Sequence, residues 1–339
     1  MAKPHRIDVH HHPTPNQALR SGRGASTGDM REWCPEHSIE DMDQNGVATA
    51  VLSVPHRAAV WRDRSEARGL ARKWNEFLVR QGQDHPGRFG VFAALPILDI
   101  EGSLIEAEYA LDTLKCDGIT LMTNMGDKWL GDPHYFPLFE ELDRRKAVVY
   151  THPISIDCMQ NAMMPDIDDA VVEFCADTSR AIARLLFSGA AHRFKNIDFI
   201  FSHGGGAMPF LLDRYTGHAA RNAEMAARVP DGVVSYLKRF YYDTAQASHR
   251  HAMSSIRELI DVSQLLFGTD FPFRKAADHV RGLRECGFSA AELQAIERGN
   301  AERLLPALAR LAGKQAAAAA GIAPGQADQP EQGQQEQQQ

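Results

Sequence analysis

The sequence predicts a (β/α)8 TIM barrel of the metal-dependent hydrolase type, and three observations lead to this fold class. Short apolar or β-branched runs alternate with amphipathic stretches of helical period along most of the chain, as in a parallel sheet with helical crossovers. Histidine and aspartate residues close several of these runs, and a barrel assembles its active site at the carboxyl ends of its strands. The length of 339 residues accommodates a barrel, which needs about 250 residues plus insertions.

The first strand precedes the motif Asp8-Val9-His10-His11-His12. Side chains alternate along a strand, so His10 and His12 are expected on one face and His11 on the other. Two imidazoles on one face can share a metal ion, although a chance histidine cluster or a purification remnant is the simpler explanation of such a triplet. A strand-like run before the triplet and Pro13 after it favour a metal site.

Three later runs end in residues that can complete the site, namely His152, His203 and Asp270. A single histidine at the end of an apolar run is more often a core or surface residue than a ligand. Zinc usually takes three or four protein ligands, so His10 and His12 require partners from later strands. The order of these four endings in the chain favours one shared site over four unrelated positions.

The remaining elements follow in order, with a long polar loop at residues 14–35 after the first strand. A helix is expected from Ser38, with Ser38 as N-cap and Asp41 in capping-box position, to a stop at Gly46. The other predicted strands are residues 47–54, 89–95, 118–122, 147–152, 197–203, 240–244 and 264–270, and the other predicted helices are 64–85, 100–114, 135–145, 173–189, 208–227, 251–260 and 276–311.

One barrel domain therefore accounts for residues 1–312. Residues 313–339 are rich in Ala, Gly, Pro and Gln, a composition that buries too little apolar surface to offset chain entropy, and we expect a disordered tail. The insert after His152, around residues 159–165, has no clear period and is expected to form part of the pocket wall.

The composition limits the partners. A net charge of −7 gives no electrostatic reason to expect nucleic acid or an anionic membrane. No stretch approaches about 18 uninterrupted apolar residues, and no apolar signal region opens the sequence, so neither insertion nor export is expected. The five cysteines are widely spread without a C-x-x-C pair, which fits a reducing cytoplasm.

The ordered set of motifs resembles the amidohydrolase superfamily. It comprises Asp-x-His-x-His, His152-Pro153, His203 followed by three glycines, and Gly268-Thr269-Asp270-Phe271-Pro272. More closely it resembles the non-oxidative decarboxylases that include α-amino-β-carboxymuconate-ε-semialdehyde decarboxylase, γ-resorcylate decarboxylase and 6-methylsalicylate decarboxylase. The resemblance spans residues 7 to about 305.

This resemblance implies one divalent ion, zinc or in some members manganese, held by His10, His12, His152 and Asp270. His203 then stands beside the metal-bound water as the acid–base group. A neutral imidazole can relay a proton near neutral pH, which agrees with that role. The proton needed for decarboxylation is expected from Asp270 or from His203 through water.

The chain departs from parts of the family. The resorcylate type carries Glu at the positions of His10 and Gly206, whereas residues 202–210 look like the semialdehyde decarboxylase. Residues 89–95 and 111–131 look more like the 6-methylsalicylate type, so a small monocyclic 2-hydroxybenzoate is the preferred substrate class. Arg214 matches an arginine that in the semialdehyde enzyme grips the substrate carboxylate from the neighbouring subunit, which implies a homodimer or higher oligomer; a solvated helix residue is the alternative.

Secondary roles are assigned to a few side chains. Asp243 is expected to orient His203 or a ligand, or else to cap a loop. Trp61, Trp129 and Phe273 are candidates for an aromatic pocket wall, although plain core is more common for such residues.

Two rival functions remain at this stage. A hydrolase or hydratase acting on a lactone, amide or unsaturated diacid would use the same four ligands, since a fold does not decide a reaction. A barrel that binds a metabolite without catalysis is the other. Thr123 rather than lysine ends the fourth strand, which argues against two metal ions bridged by a carboxylated lysine.

Overall fold

The computed structural model describes residues 5–13, 33–56, 61, 63–155 and 166–308. Eight strands form one parallel sheet in which each strand pairs with the next along the chain, apart from a small antiparallel hairpin of β5 and β6 that stands outside it. The strands are β1 (Arg6–His11), β2 (Val47–Leu52), β3 (Phe89–Ala94), β4 (Gly118–Met122), β5 (Asn124–Met125), β6 (Lys128–Trp129), β7 (Val148–His152), β8 (Asp198–Phe201), β9 (Tyr241–Asp243) and β10 (Leu265–Leu266).

The sheet closes between its first and last strands. The backbone amide of Val9 donates to Phe267 O at 3.0 Å, and that of Asp270 donates to His10 O at 2.9 Å. His11 and Phe271 form a parallel bridge at the same seam. The predicted (β/α)8 barrel is therefore confirmed, and its carboxyl end brings β1 and β10 side by side.

Helices connect the strands and cover the outside of the barrel. The longest of the described helices, Arg64–Asp84, begins after Asp63. The Asp63 side chain accepts from the amides of Ser65 and Glu66, as an N-cap should. The helices are α1 (Pro35–Asn45), α2 (Arg64–Asp84), α3 (Ile100–Glu108), α4 (Phe136–Arg145), α5 (Asp169–Phe187), α6 (Ala190–Arg193), α7 (Leu212–Arg221), α8 (Ala223–Arg228), α9 (Val233–Leu237), α10 (Arg250–Arg257), α11 (Ala276–Glu285), α12 (Ala290–Gln294) and α13 (Asn300–Leu304).

The barrel interior is apolar below the level of the histidines. Phe92 and Tyr150 stack with their ring centroids 5.3 Å apart, and Ile7 and Ile200 join the same buried cluster. Leu304, Leu305 and Leu308 close the amino end from below. A second and larger buried cluster lies between the strands and the helices. Polar groups can therefore meet inside the barrel only near its carboxyl end.

Several predicted boundaries were wrong. The first helix begins at Pro35, and Ser38 lies inside it, where its hydroxyl contacts His11 Nε2 at 2.9 Å. Proline at the first helical turn has a fixed φ and no amide to satisfy, and the sequence interpretation overlooked it. The predicted helix 208–227 breaks at Asn222, whose extended backbone ends α7 and caps α8.

Some predictions fall on residues that the structure does not describe. They are most of the loop at 14–35, the insert around 159–165, Cys158 and the tail at 313–339. Among the described cysteines none forms a disulfide. No helix in the described part of the chain is long and apolar enough to cross a membrane.

Candidate metal centre

The triplet His10–His12 at the end of β1 directs two of its three histidines into the barrel with the help of an irregularity. Ile7 and Val9 already point into the apolar interior, so strict alternation would turn His10 outward. From Asp8 to His11 the chain advances three residues along β1, whereas their partners on β2, Ala50 and Leu52, are only two residues apart. This bulge brings His10 to the inside as well. The predicted arrangement of the triplet is thus confirmed, although a bulge rather than simple alternation produces it.

The four predicted ligands meet at the carboxyl end. One donor atom from each of His10, His12, His152 and Asp270 lies within 4.8 Å of all the others, and all four residues are buried. His10 Nε2 lies 3.0 Å from His12 Nε2. Asp270 Oδ1 lies 3.1 Å from His10 Nε2 and 3.2 Å from His12 Nε2. Three neutral imidazoles and one carboxylate are a donor set that suits a divalent transition metal.

The hydrogen bonding of these groups supports a cation between them. Neither ring nitrogen of His152 has a hydrogen-bond partner among the described residues, although both atoms are buried. A buried polar group without a partner costs about 1–3 kcal/mol. By contrast, His12 Nδ1 contacts Ser53 O at 2.9 Å, which leaves its Nε2 facing the cluster. The residues therefore fit a divalent ion held by three histidines and Asp270.

The charges of the cluster agree with this arrangement. Burial alone would lower the pKa of His10, but Asp243 and Asp270 raise that pKa to about 10. Burial lowers the pKa of His152 well below its usual range. Burial favours the neutral form of Asp270, yet His10 and the hydrogen bonds from its neighbours hold the pKa of this carboxyl well below the ordinary value. The carboxylates therefore favour positive charge in this space, which either a proton on His10 or a bound divalent ion would supply.

Asp243, the last residue of β9, orients His10. Its Oδ2 accepts from His10 Nδ1 at 2.8 Å, which leaves His10 Nε2 to face the other ligands. Its Oδ1 accepts from the backbone amides of His203 and Ala245, each at 3.0 Å. A carboxylate behind a ligating histidine fixes the ring and its tautomer. The predicted positioning role of Asp243 therefore has its geometric basis here, and it serves both His10 and the backbone of His203.

His203 lies two residues beyond β8 and faces the cluster from the side of Asp270. Its Nε2 is 3.3 Å from Asp270 Oδ2, and its backbone has a φ of 53°, which is rare for a residue other than glycine. Gly206 has a φ of 65°, and a Cβ there would lie 2.2 Å from the carbonyl oxygen of Cys175. A glutamate at that position is therefore excluded in this chain, in agreement with the departure from the resorcylate type.

The structure adds a residue that the sequence interpretation missed. The side-chain amide of Gln246 donates to Asp270 Oδ2 in a short contact. Gln246 lies in the loop after β9, outside any periodic pattern, and no motif in the sequence pointed to it. Its backbone also has a positive φ, 51°. Gln246, His203 and Asp270 thus form one strained group on the rim of the site.

The aromatic candidates divide between the site and the core. Phe273 lies edge-to-face with His12, with ring centroids 6.0 Å apart. Trp61 is buried against His56 and Trp74, so it belongs to the core. Trp129 donates through Nε1 to Asp177 at 2.6 Å.

Thr123, which follows β4, also donates its hydroxyl to Asp177, in a short contact. The hydroxyl is therefore occupied, and the strand-4 position that would carry a bridging lysine holds no second metal ligand.

Arg214 lies outside the cluster that the structure brings together. It is exposed in the first turn of α7. The neighbouring Tyr215 is buried, and its hydroxyl donates to Ser179 O at 3.0 Å. Tyr215 thus anchors the helix to α5, while Arg214 is exposed.

Comparisons with known proteins agree with the fold. A model of the amidohydrolase family matches residues 7–307. A decarboxylase of Aspergillus niger is 32% identical over 322 residues, covering 89% of this chain and 87% of that protein. The 6-methylsalicylic acid decarboxylase of Penicillium expansum is 33% identical over 321 residues, covering 89% of this chain and 97% of that protein.

Solved structures share the architecture. The crystal structure of a 5-carboxyvanillate decarboxylase from Novosphingobium aromaticivorans, with bound manganese and a nitrobenzoic acid, has a TM-score of 0.78 and is 21% identical, covering 89% of this chain and 97% of that one. At this identity the likeness concerns the fold.

Proposed function

The chain belongs to the amidohydrolase family, and we propose that it is a metal-dependent, non-oxidative decarboxylase of a small aromatic carboxylic acid. The observation that carries the proposal is the buried cluster of His10, His12, His152 and Asp270 with His203 beside it. Relatives of similar length that are 32–33% identical are decarboxylases. The reaction class is a carbon–carbon lyase.

The four ligands hold one divalent ion in this proposal. Such an ion, when bound, withdraws electrons from a coordinated oxygen and neutralises negative charge. The three imidazole nitrogens and one carboxylate favour zinc, and manganese, which the carboxyvanillate enzyme contains, is the second candidate. Metal analysis of the purified protein distinguishes them, with about one equivalent per chain expected.

His203 supplies the acid–base chemistry. Decarboxylation of an arene carboxylate needs a proton on the ring carbon that bears the carboxylate. The carbon–carbon bond then breaks, its electron pair restores the aromatic ring, and CO2 leaves. Asp243 and the glycines after His203 fix the backbone from which the imidazole projects. The ring at the edge of the cluster can therefore deliver the proton to a substrate that lies over the carboxyl end.

Asp270 is the second candidate for the proton. Its Oδ2 already accepts from Gln246 and faces His203 Nε2, and its pKa lies well below the ordinary value. An ionised carboxylate that accepts hydrogen bonds orients His203 rather than donating. We therefore assign proton delivery to His203 and the orientation of its ring to Asp270, which also serves as a ligand.

The substrate class follows from the relatives and the wall of the site. We propose a monocyclic 2-hydroxybenzoate of the 6-methylsalicylate type, the acid named for the Penicillium expansum relative. Phe273 beside His12 offers an aromatic edge to a flat ring. The ortho hydroxyl of the 2-hydroxybenzoate raises electron density at the ring carbon that is protonated, which lowers the barrier to protonation.

A homodimer would place Arg214 at a neighbouring site. Phe210 is 85% exposed, and Val171 and Val172 on α5 are 67% and 47% exposed. Isolated exposed apolar residues are common, but these lie on α5 and on the segment that packs against it through Ala207 N and Ser179 Oγ at 3.0 Å. A second subunit that covers them would bring Arg214 towards the substrate of its partner, where a guanidinium binds a carboxylate through two hydrogen bonds.

The experiment that tests the function is CO2 release from a panel of hydroxybenzoates and lactones by the metal-loaded protein. Release from 6-methylsalicylate or a close analogue, with formation of the phenol, is expected. Hydrolysis of a lactone or amide without CO2 release would contradict the decarboxylase assignment. A protein that binds the acids but converts none would indicate a binding role instead.

The dimer is tested separately by mixing protomers. His203→Ala and Arg214→Ala subunits, each inactive or weak alone, should regain activity when mixed, because one site of each heterodimer has both groups. A verified heterodimer without recovered activity, or an active monomer, would assign Arg214 to its own chain or to no site.

A further inference from the structure

The two oxygens of Asp270 face different neighbours. Oδ1 points to the Nε2 atoms of His10 and His12, at 3.1 and 3.2 Å. Oδ2 points outward to His203 Nε2 at 3.3 Å and accepts from the side-chain amide of Gln246. The carboxylate can rotate only if both sides give up their contacts. Gln246 therefore helps to hold Oδ1 towards the histidines.

The backbone around this contact is strained. Gln246, Asp270 and His203 have φ values of 51°, 60° and 53°, in a region that side chains other than glycine rarely adopt. The other two described non-glycine residues with positive φ, Lys115 and Lys146, lie at or just beyond the ends of helical segments, where such a backbone is common. Strain of this kind is concentrated at functional sites. Here one of the three residues, Asp270, carries the carboxylate that the other two contact.

Gln246 also contacts a cation. Its Oε1 faces Arg274 Nε at 3.5 Å, and Arg274 is exposed. The Arg274 amide donates to Asp270 O at 3.2 Å, so the arginine stands directly beyond the turn that carries Asp270. Phe273, its neighbour, lies against His12. Within the described residues Arg274 forms no ion pair, and its side chain is exposed.

We propose that Arg274 binds the carboxylate of the substrate at the entrance, from the same chain that holds the metal centre, with Gln246 as the positioning residue that links Arg274 to Asp270. The inference rests on the proposed function and adds a second contact to the substrate carboxylate, which in the proposed dimer also binds Arg214. A guanidinium presents parallel N–H groups that match a carboxylate. A single amide side chain separates this cation from the ligating carboxylate, so an acid bound by Arg274 lies beside the cluster.

This placement affects binding more than rate. The carboxylate keeps its charge while the ring carbon is protonated and loses it only when CO2 leaves, so the arginine contact is about as strong during protonation as in the bound acid. An interaction of that kind lowers KM without raising kcat. The phenol product carries no carboxylate and keeps no contact with Arg274. The contact therefore favours the acid over the product and aids product release.

The experiment compares two probes that differ only in the carboxylate, 6-methylsalicylate and 3-methylphenol, on the metal-loaded protein. Calorimetry gives the Kd of each, and CO2 release gives KM and kcat. Arg274→Ala should raise the Kd and KM for the acid by about 10-fold or more, the usual scale for a hydrogen bond to a charged group. The Kd for 3-methylphenol and kcat should stay close to the wild-type values. Arg274→Lys should restore part of the affinity for the acid.

Two further variants separate positioning from charge. Gln246→Ala should raise KM and also lower kcat, because Asp270 loses a donor while Arg274 loses its orientation. Arg281→Ala is the matched control, since Arg281 is an exposed arginine on α11 paired with Asp278 at 2.6 Å; it should change neither probe.

The outcomes are decisive in each case. An acid affinity in Arg274→Ala within about twofold of wild type, well under the expected 10-fold scale, would overturn the inference, as would an equal loss for both probes. A wild-type protein that binds the acid in an Arg274-dependent way without releasing CO2 would keep the inference and overturn the proposed function.

Discussion

The two faces of β1 carry the same residue type and behave differently. His11 points away from the barrel centre, and both of its nitrogens have partners, Asp8 Oδ2 at 3.0 Å and Ser38 Oγ at 2.9 Å. Its ring stacks on Phe271 with centroids 4.7 Å apart. Asp8 in turn accepts from Thr269 and from the amide of His10. The outer face is a satisfied network that joins β1 to the segment after β10.

On the inner face the ring nitrogens converge on one another and on Asp270. His10 and His12 direct their Nε2 atoms at each other, and His152 beside them has no hydrogen-bond partner among the described residues for either nitrogen. Burial is equally complete on both faces. The difference teaches that burial of a histidine does not mark a site, whereas buried nitrogens that converge without partners do. The following experiments test that distinction, from the largest expected effect to the smallest.

Removal of two inner histidines should have the largest effect. In His10→Ala/His12→Ala the divalent ion loses two of its four ligands, so metal content should fall from about one equivalent to near zero. Activity should fall by at least about 10³-fold, because a metal ion contributes several kcal/mol of transition-state stabilisation. Elemental analysis after dialysis checks the first result. Full metal occupancy in this variant would show that the ion binds elsewhere and that the converging nitrogens of the inner face do not mark the metal site.

His203→Ala should reduce kcat by about 10²-fold or more, the scale of a lost acid–base group, while the metal stays bound. Steady-state CO2 release and metal content measured on the same sample check both statements. His251→Ala serves as the control, since His251 is exposed on α10 and should leave kcat unchanged. Wild-type turnover in His203→Ala would remove this residue from the mechanism.

Most of the barrel could be predicted because its signals are local. The strand Gly118–Met122 was predicted to the residue, and the polar endings of β1, β7 and β8 were visible as interruptions of apolar runs. The short strand β10 shows where local signals fail. Residues 264–270 look like one strand, yet the ladder ends at Leu266, and Asp270 has a positive φ. β1 approaches this segment closely, since a Cβ on Gly268 would lie 2.9 Å from His10 Cβ.

The rim of the site could not be predicted in the same way. The contact between Gln246 and Asp270 joins residues that lie 24 positions apart, and it depends on the backbone conformation of two loops. The bulge in β1 is likewise invisible in the sequence, since it is set by pairing with β2. Ligand identity follows from residue type and order, whereas the groups that orient the ligands follow from tertiary contacts.

Asp243→Asn should have an intermediate effect. The amide keeps the size of the side chain but weakens the hydrogen bond to His10 Nδ1, which fixes the ring towards the cluster. Loss of such a contact usually costs about 10–100-fold in metal affinity or activity. A competition titration with a chelator measures the affinity. Unchanged affinity together with unchanged kcat would show that the remaining ligands hold His10 without help.

The smallest effect on activity is expected for His11→Ala, on the satisfied face of the same strand. The substitution leaves the Ser38 hydroxyl without its partner and removes one of the two donors to Asp8 Oδ2 and the stack on Phe271. The free energy of unfolding should therefore fall by about 1–3 kcal/mol. The inner nitrogens keep their positions, so the protein should still bind about one metal ion per chain. Denaturant unfolding and metal analysis measure the two quantities.

His10→Ala, one residue away, is the matched variant for this test. It removes an imidazole of the same size and burial, yet it should abolish metal binding, because its Nε2 belongs to the converging set and the remaining ligands cannot replace it. If His11→Ala also lost the metal, the outer network would be holding the ligands in place, and the two faces of β1 would act as one unit. If His10→Ala kept the metal and lost only stability, the unpartnered nitrogens would be a feature of the core, since the inner face would then respond to substitution as the outer face does.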